Sequence, residues 1–143
     1  MTTTEFILRL LTALAAGLLI GFERQWHHKS AGLRTNTLVA IGSALFVLLS
    51  ISITQTNGDV TRIIGQVVTG IGFLGAGIIF KEGMNVHGLT TAATVWCSSA
   101  IGCLAASGYY IETMIGTITI ILVNLLLMPM DRWLSKRKIR TKK

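Results

Sequence analysis

The chain has 143 residues, 51% of them hydrophobic and only 13% charged, with fifteen glycines and a single proline. That length is one domain, and that composition excludes a disordered chain and an ordinary water-soluble protein. A formal net charge of +7 suggests nucleic acid as a partner only until the charges are located, because seven of the thirteen basic residues lie after Met130 and the body is nearly neutral.

The first predicted membrane span is Phe6–Phe22. Glu5 and Arg9 stand at i, i+4 in the favourable order, and Arg9 is placed to snorkel to the headgroups. Gly17 and Gly21 form a GxxxG pair, which suits close packing of a neighbouring helix. No basic cluster and no A-x-A-like site mark this segment as a cleavable signal. A charged segment, Glu23 to Arg34, follows, with Trp26 as an interfacial anchor. Thr35–Ile53 is the second span, and Gln55–Asp59 reads as a turn punctuated by Asn57-Gly58.

Ile63–Phe80 holds eighteen residues without a charge, enough to cross a hydrocarbon core of ~30 Å at ~1.5 Å per residue. On a helix Gly65, Thr69, Gly72 and Ala76 fall in one stripe of small side chains, so this span is expected to be the central packing helix. Gly70, Gly72 and Gly75 also spell G-x-G-x-x-G. A dinucleotide site needs a preceding strand, a soluble helix and an acid about twenty positions on, and none of these stands here.

Lys81–Gly88 reads as a compact polar loop. The fourth span, Thr90–Ser107, places Thr91, Thr94, Ser98, Gly102 and Ala105 on one small, mildly polar face, where each hydroxyl contact contributes ~0.6 kcal/mol. Cys97 and Cys103 lie six residues apart on different faces, against an internal disulfide and in favour of small buried hydrophobes. Gly108-Tyr109-Tyr110 is a turn, and Ile111–Met128 is the fifth span, carrying Asn124 and closed by Pro129.

These elements predict an all-α integral membrane protein of five transmembrane helices over residues 1–130, followed by a basic tail, 131–143. With the tail cytoplasmic, eleven basic residues share its side, Arg24, Lys29, Arg34 and Lys81 among them, while Arg9 and Arg62 lie opposite. The positive-inside rule then places the N-terminus in the periplasm and the C-terminus in the cytoplasm. The tail reads as an anchor to anionic lipid headgroups rather than a nucleic-acid surface, since no aromatic residues interleave after Trp133.

All six acidic residues fall at span ends or in loops. An ion pathway usually places a charged group in the bundle interior, so a route for Mg²⁺ through oxygen ligands has little support. The cytoplasmic charges Glu23, Arg24, Gln25, Arg34, Lys81 and Glu82 form either an intersegment ion-pair cluster or a set of solvated side chains. His27, His28 and His87 lack the ligand set of a tetrahedral zinc site. No catalytic arrangement, metal site or cofactor motif is found, and an enzyme is not expected.

Three stretches carry a family resemblance: GFERQW (Gly21–Trp26), AGLRTNTLVAIGSALF (Ala31–Phe46) and TGIGFLGAGIIFKEGMNVHGLTTAATVWCSSAIG (Thr69–Gly102). They strongly resemble the MgtC/SapB family of bacterial inner-membrane proteins, over residues from about 5 to 128. The family signature, carried over, falls on Gly21, Glu23, Arg24, Gln25, Gly32, Arg34, Thr35, Gly70, Gly72, Phe73, Leu74, Gly75, Ala76, Gly77, Gly88, Leu89, Thr91, Ala92, Trp96 and Cys97. The resemblance implies a multi-pass membrane domain with a role in growth at low magnesium and in survival inside macrophages. It also implies action on other membrane proteins, including F-type ATP synthase and sensor kinases, rather than magnesium transport. Two departures stand out. The pattern usually places Asn where this chain has Thr90, and it adds a C-terminal ACT-like domain of about a hundred residues, too long to fit after Met130.

The leading expectation is a non-enzymatic regulator that self-associates or binds membrane partners through small-residue faces. Gly17, Gly21, Gly65, Gly70, Gly72, Gly75, Ala76 and Gly77 would supply those faces, with Thr90, Thr91, Ala92, Trp96 and Cys97 as the span-four motif. The alternative is a transporter or channel for an ion or small solute.

Overall fold

The computed structural model describes residues 1–54 and 59–140, with side chains described up to residue 130. Five helices run in chain order: α1 (Thr3–Trp26), α2 (Leu33–Ile53), α3 (Val60–Ile78), α4 (Leu89–Ala106) and α5 (Tyr110–Arg140). Each is long and apolar enough to cross a membrane. Of the turn expected at Gln55–Asp59, residues 55–58 lie outside the described residues.

The helix starts follow local chemistry. A capping box opens α1: Thr2 Oγ1 accepts from the Glu5 N–H, and Glu5 Oε2 accepts from the Thr2 N–H at 2.9 Å. Arg9, one turn further on, turns to the end of α4. Its Nη1 donates to the Ala106 carbonyl at 2.9 Å, placing a cation at the negative end of α4. Asp59 caps α3 through the Thr61 N–H.

The segment expected to be a polar loop is a small antiparallel hairpin, β1 (Phe80–Glu82) and β2 (Asn85–His87), the single sheet among the described residues. Its two-residue turn begins at Gly83, whose φ of +58° suits the first position of a hairpin turn. The hairpin leads into Gly88, with φ +87° and so little room that a Cβ would lie 2.2 Å from the Ile78 carbonyl oxygen. Gly88→Ala is therefore expected to lower stability by at least about 2 kcal/mol, combining left-handed backbone strain with a backbone overlap. Detergent unfolding of the purified protein measures the loss.

The central helix is α4, not α3 as its small-residue stripe predicted. Inside the chain, 61% of the α4 span is buried, against 6% of the α3 span. α4 touches all four other helices. The reason is that hydroxyl and small side chains on α4 are matched by equally small surfaces on α1 and α2. A Cβ on Gly17 would come within 2.8 Å of Thr37 Cα, and one on Gly21 within 2.7 Å of Leu33 Cα, which brings α1 against α2. Gly102 lies directly on Ala40 of α2. Ala13, Ala44, Val47, Leu48, Cys103, Ala105 and Ala106 make one core cluster; Ala16, Ile20 and Ile101 make another. Cys103 is buried, Cys97 is half-buried, and both thiols are free.

Pro129 does not end its helix. α5 continues through it to Arg140. Proline removes the bond to the Leu125 carbonyl and crowds one turn, but the N–H groups beyond it still find acceptors four residues back. The outward faces of α1, α2, α3 and α5 carry Leu11, Phe22, Phe46, Leu49, Phe73 and Leu126, all more than half exposed, as side chains facing lipid would be.

Candidate functional site

One end of the bundle gathers the end of α1, the start of α2, the hairpin, the start of α4 and the C-terminal half of α5. Glu23 and Arg24, on the last turn of α1, are 6% and 2% exposed, which excludes the solvated reading for both. A buried charge is costly unless its hydrogen bonds are met. The Arg24 guanidinium donates from Nη2 to Thr91 Oγ1 at 2.8 Å and, at 3.4 Å, to the Ser30 carbonyl. The Ser30 and Thr91 hydroxyls are 3.1 Å apart. Glu23 Oε2 accepts from Asn124 Nδ2 at 3.1 Å, so the lone amide of span five meets the carboxylate of span one. His27 Nδ1 lies 3.0 Å from the Glu23 carbonyl and 3.4 Å from Oε1; the carbonyl is the hydrogen-bonded partner, and Oε1 is left without one.

The six charged and polar residues expected as a cluster thus divide. Gln25 turns the other way, its Oε1 accepting from the Leu33 N–H at 3.1 Å and so capping α2, whose Gly32 N-cap offers no side chain. Arg34, Lys81 and Glu82 are exposed, and Glu82 reaches His87 at 3.9 Å. Among the described residues, no lysine or arginine lies within 4.0 Å of a carboxylate, so Glu23 pairs with neither Arg34 nor Lys81. Nor do three His, Cys, Asp or Glu side chains converge as a metal-holding group among them.

The connection between α1 and α2 is tight, with His28 and Ala31 both at φ 55°. Such strain persists where surroundings over-determine it. Here the over-determining group is Asn36, which the sequence reading did not single out. It is fully buried; its Nδ2 donates to the Ala31 and Gly32 carbonyls, and its Oδ1 accepts from Ser98 Oγ at 2.8 Å. A lone carboxamide one turn into an apolar span was the available signal. About two turns further along α2, Ser43 and Ser99 join α2 to α4 at 2.7 Å.

The span-four motif divides by face. Thr91 and Ala92 are buried, Thr90 is exposed with its carbonyl taking the Thr94 hydroxyl, Trp96 is half exposed, and Cys97 is half-buried. On α3, a Cβ built on Gly75 would meet Ala92 Cβ at 3.8 Å, whereas at Gly65, Gly70, Gly72 and Gly77 it would meet nothing within 4 Å. Ala76 is exposed. Beside that face a groove of about 680 Å³ runs between α2 and α3, lined by Leu38, Phe46, Ile71 and Leu74. A second cavity, of about 520 Å³, opens at the polar end, between Arg24, Lys29, His87, Thr90 and Thr91 on one side and Val123, Asn124 and Leu127 on the other.

The MgtC family model matches residues 10–133. A Synechocystis protein is 45% identical over 141 residues, which is 99% of this chain and 60% of that protein. Protein MgtC of Brucella abortus is 54% identical over 128 residues, 90% of this chain and 53% of its own length. Protein MgtC of Salmonella typhimurium is 53% identical over 122 residues, 85% of this chain and 52% of its own length. The chain therefore spans roughly half to three-fifths of these relatives. No solved structure matches it. With five bilayer-length helices, lipid-like outer faces and this likeness over most of its length, the chain belongs to the MgtC family and is a multi-pass membrane protein.

Proposed function

We propose that this chain is the membrane domain of a non-enzymatic regulator in the bacterial inner membrane, acting by pressing the small-residue face of α3 against another membrane protein. The observation that carries this reading is the bare small-residue stripe: Gly65, Thr69, Gly72 and Ala76 share one face of α3 and are all exposed, and a Cβ on Gly65 or Gly72 would meet nothing within 4 Å, although α3 is flanked by α2 and α4. In lipid, such a row permits close backbone approach, and packing then replaces the missing hydrophobic drive. The partners in this reading are a second copy of the chain or, as the family resemblance implies, F-type ATP synthase or a sensor kinase. The physiological setting would be adaptation to low magnesium and survival inside macrophages. The basic segment after Met130 holds the cytoplasmic side to anionic lipid at about 1 kcal/mol per basic residue near the surface. The N-terminus is then periplasmic.

The test is Gly72→Leu, at an exposed position where a Cβ meets nothing within 4 Å inside the chain. Cross-linking and pull-down from membranes are expected to show self-association or partner capture reduced at least about fivefold, the loss of roughly 1 kcal/mol of packing. Capture equal to that of the parent chain would remove α3 as the contact face. A second reading, ion or small-solute transport, is favoured by Glu23, buried with one carboxylate oxygen unbonded. Saturable Mg²⁺ flux into reconstituted vesicles, abolished in Glu23→Gln, would put transport first.

A further inference from the structure

We propose that the cavity at the start of α4 binds a phosphate group, carried by a phospholipid headgroup or free in solution. The geometry there is electrostatically incomplete. α4 is eighteen residues long and begins at Gly88 with no side-chain cap. The N–H groups of its first turn, Leu89 to Thr91, therefore have no acceptor within the helix and present the positive end of the helix dipole. Against that end lies the Arg24 guanidinium, 2% exposed and bonded to Thr91, with its Nε unpartnered.

A buried cation on the positive end of a helix is an arrangement that electrostatics disfavours unless an anion joins it. The neighbouring Glu23 offsets that charge only from a distance: its carboxylate turns to Asn124, and no carboxylate among the described residues lies within 4.0 Å of Arg24. Lys29 and His87 bring further donors to the same cavity, and Thr90 adds a hydroxyl. Guanidinium, ammonium, hydroxyl and helix-end amides are the donor set that recognises phosphate oxygens. At about 520 Å³ the cavity exceeds a bare phosphate, and its far wall, Val123 and Leu127 of α5, is apolar and half exposed. That wall would carry the glycerol and first methylenes of a lipid, whereas a free phosphate would leave it unused.

The test takes the full chain in maltoside micelles, which contain no phosphate, and titrates it in separate arms with inorganic phosphate and with short-chain phosphatidylglycerol. Native mass spectrometry and equilibrium dialysis read the stoichiometry and Kd. Saturable one-to-one binding is expected, weakened about fivefold in Lys29→Gln and at least about tenfold in Arg24→Gln. Binding of phosphatidylglycerol without inorganic phosphate assigns the site to a headgroup. Binding of inorganic phosphate as tightly as the lipid assigns it to a soluble ion. Should Arg24→Gln fail to fold, Lys29→Gln decides, because Lys29 is exposed and its replacement leaves the interior intact. Absence of saturable binding in both arms, or an unchanged Kd in Lys29→Gln, overturns the proposal, whatever the outcome at Gly72.

Discussion

Gly102→Ala is expected to force α4 away from α2 although it adds one methyl group. A Cβ at Gly102 would sit 2.2 Å from the Ala40 carbonyl oxygen, 2.9 Å from its carbonyl carbon and 3.0 Å from its Cα. All three are backbone atoms, so no rotamer change relieves the overlap; a helix has to move. Moving it would also strain the Ser43–Ser99 and Asn36–Ser98 bonds, which span the same pair of helices. Overpacking a core commonly costs about 1–3 kcal/mol, and a rigid backbone contact belongs at or beyond the upper end. The control is Gly42→Ala on α2, where a Cβ meets nothing within 4 Å; that variant is expected to stay within about 1 kcal/mol of the parent. Unfolding from micelles with increasing sodium dodecyl sulfate, followed by circular dichroism, compares the two. Equal midpoints would mean that α2 and α4 do not meet at Gly102.

Asn36→Ala is the second large effect. It strands the Ala31 carbonyl in a strained connection, takes one of two donors from the Gly32 carbonyl, which keeps the backbone N–H of residue 36, and removes the side-chain acceptor for Ser98. Each buried polar group left without a partner costs about 1–3 kcal/mol, so a total of about 2–4 kcal/mol is expected. Asn36→Asp separates lost hydrogen bonds from lost volume. The carboxylate keeps the size and still accepts from Ser98, but it cannot donate, and it faces two carbonyl oxygens. It is expected to be at least as damaging as alanine. Ser98→Ala alone is milder, about 0.6 kcal/mol, because a single interhelical hydroxyl bond in a membrane protein is worth about that. In a double-mutant cycle, Asn36→Ala with Ser98→Ala should then be less than additive. Strict additivity would mean the two side chains are uncoupled.

Because Asn36 and Gln25 fix the path between α1 and α2, the same connection sets where Arg24 and Lys29 stand. Gln25 Oε1 caps α2 while the residue before it on α1 turns inward to Thr91. Four of the five residues from Glu23 to His27, all but Trp26, therefore serve separate partners: Asn124, Thr91, Leu33 and the local carbonyl of α1. A helix turns about 100° per residue, so adjacent side chains necessarily face different neighbours.

The sequence by itself determined the number of spans, the GxxxG contact face of α1 and the small hydroxyl face of α4. These depend on span length, charge placement and residue spacing, which are local properties of the chain. Only the tertiary structure decided that α4 rather than α3 is central, that Arg9 turns to Ala106, and that Arg24 reaches Thr91 across sixty-seven positions. It also decided that Asn124 takes Glu23 and Asn36 takes Ser98. The physical reason is that lipid is as apolar as a leucine-lined core, so hydropathy does not rank one span above another for burial. A row of glycines looks the same in sequence whether it meets a helix of its own chain, a second protein or the bilayer. Which of these it meets is set by the shape and hydrogen-bonding groups of the opposing surface, and that surface comes from residues far away in the chain.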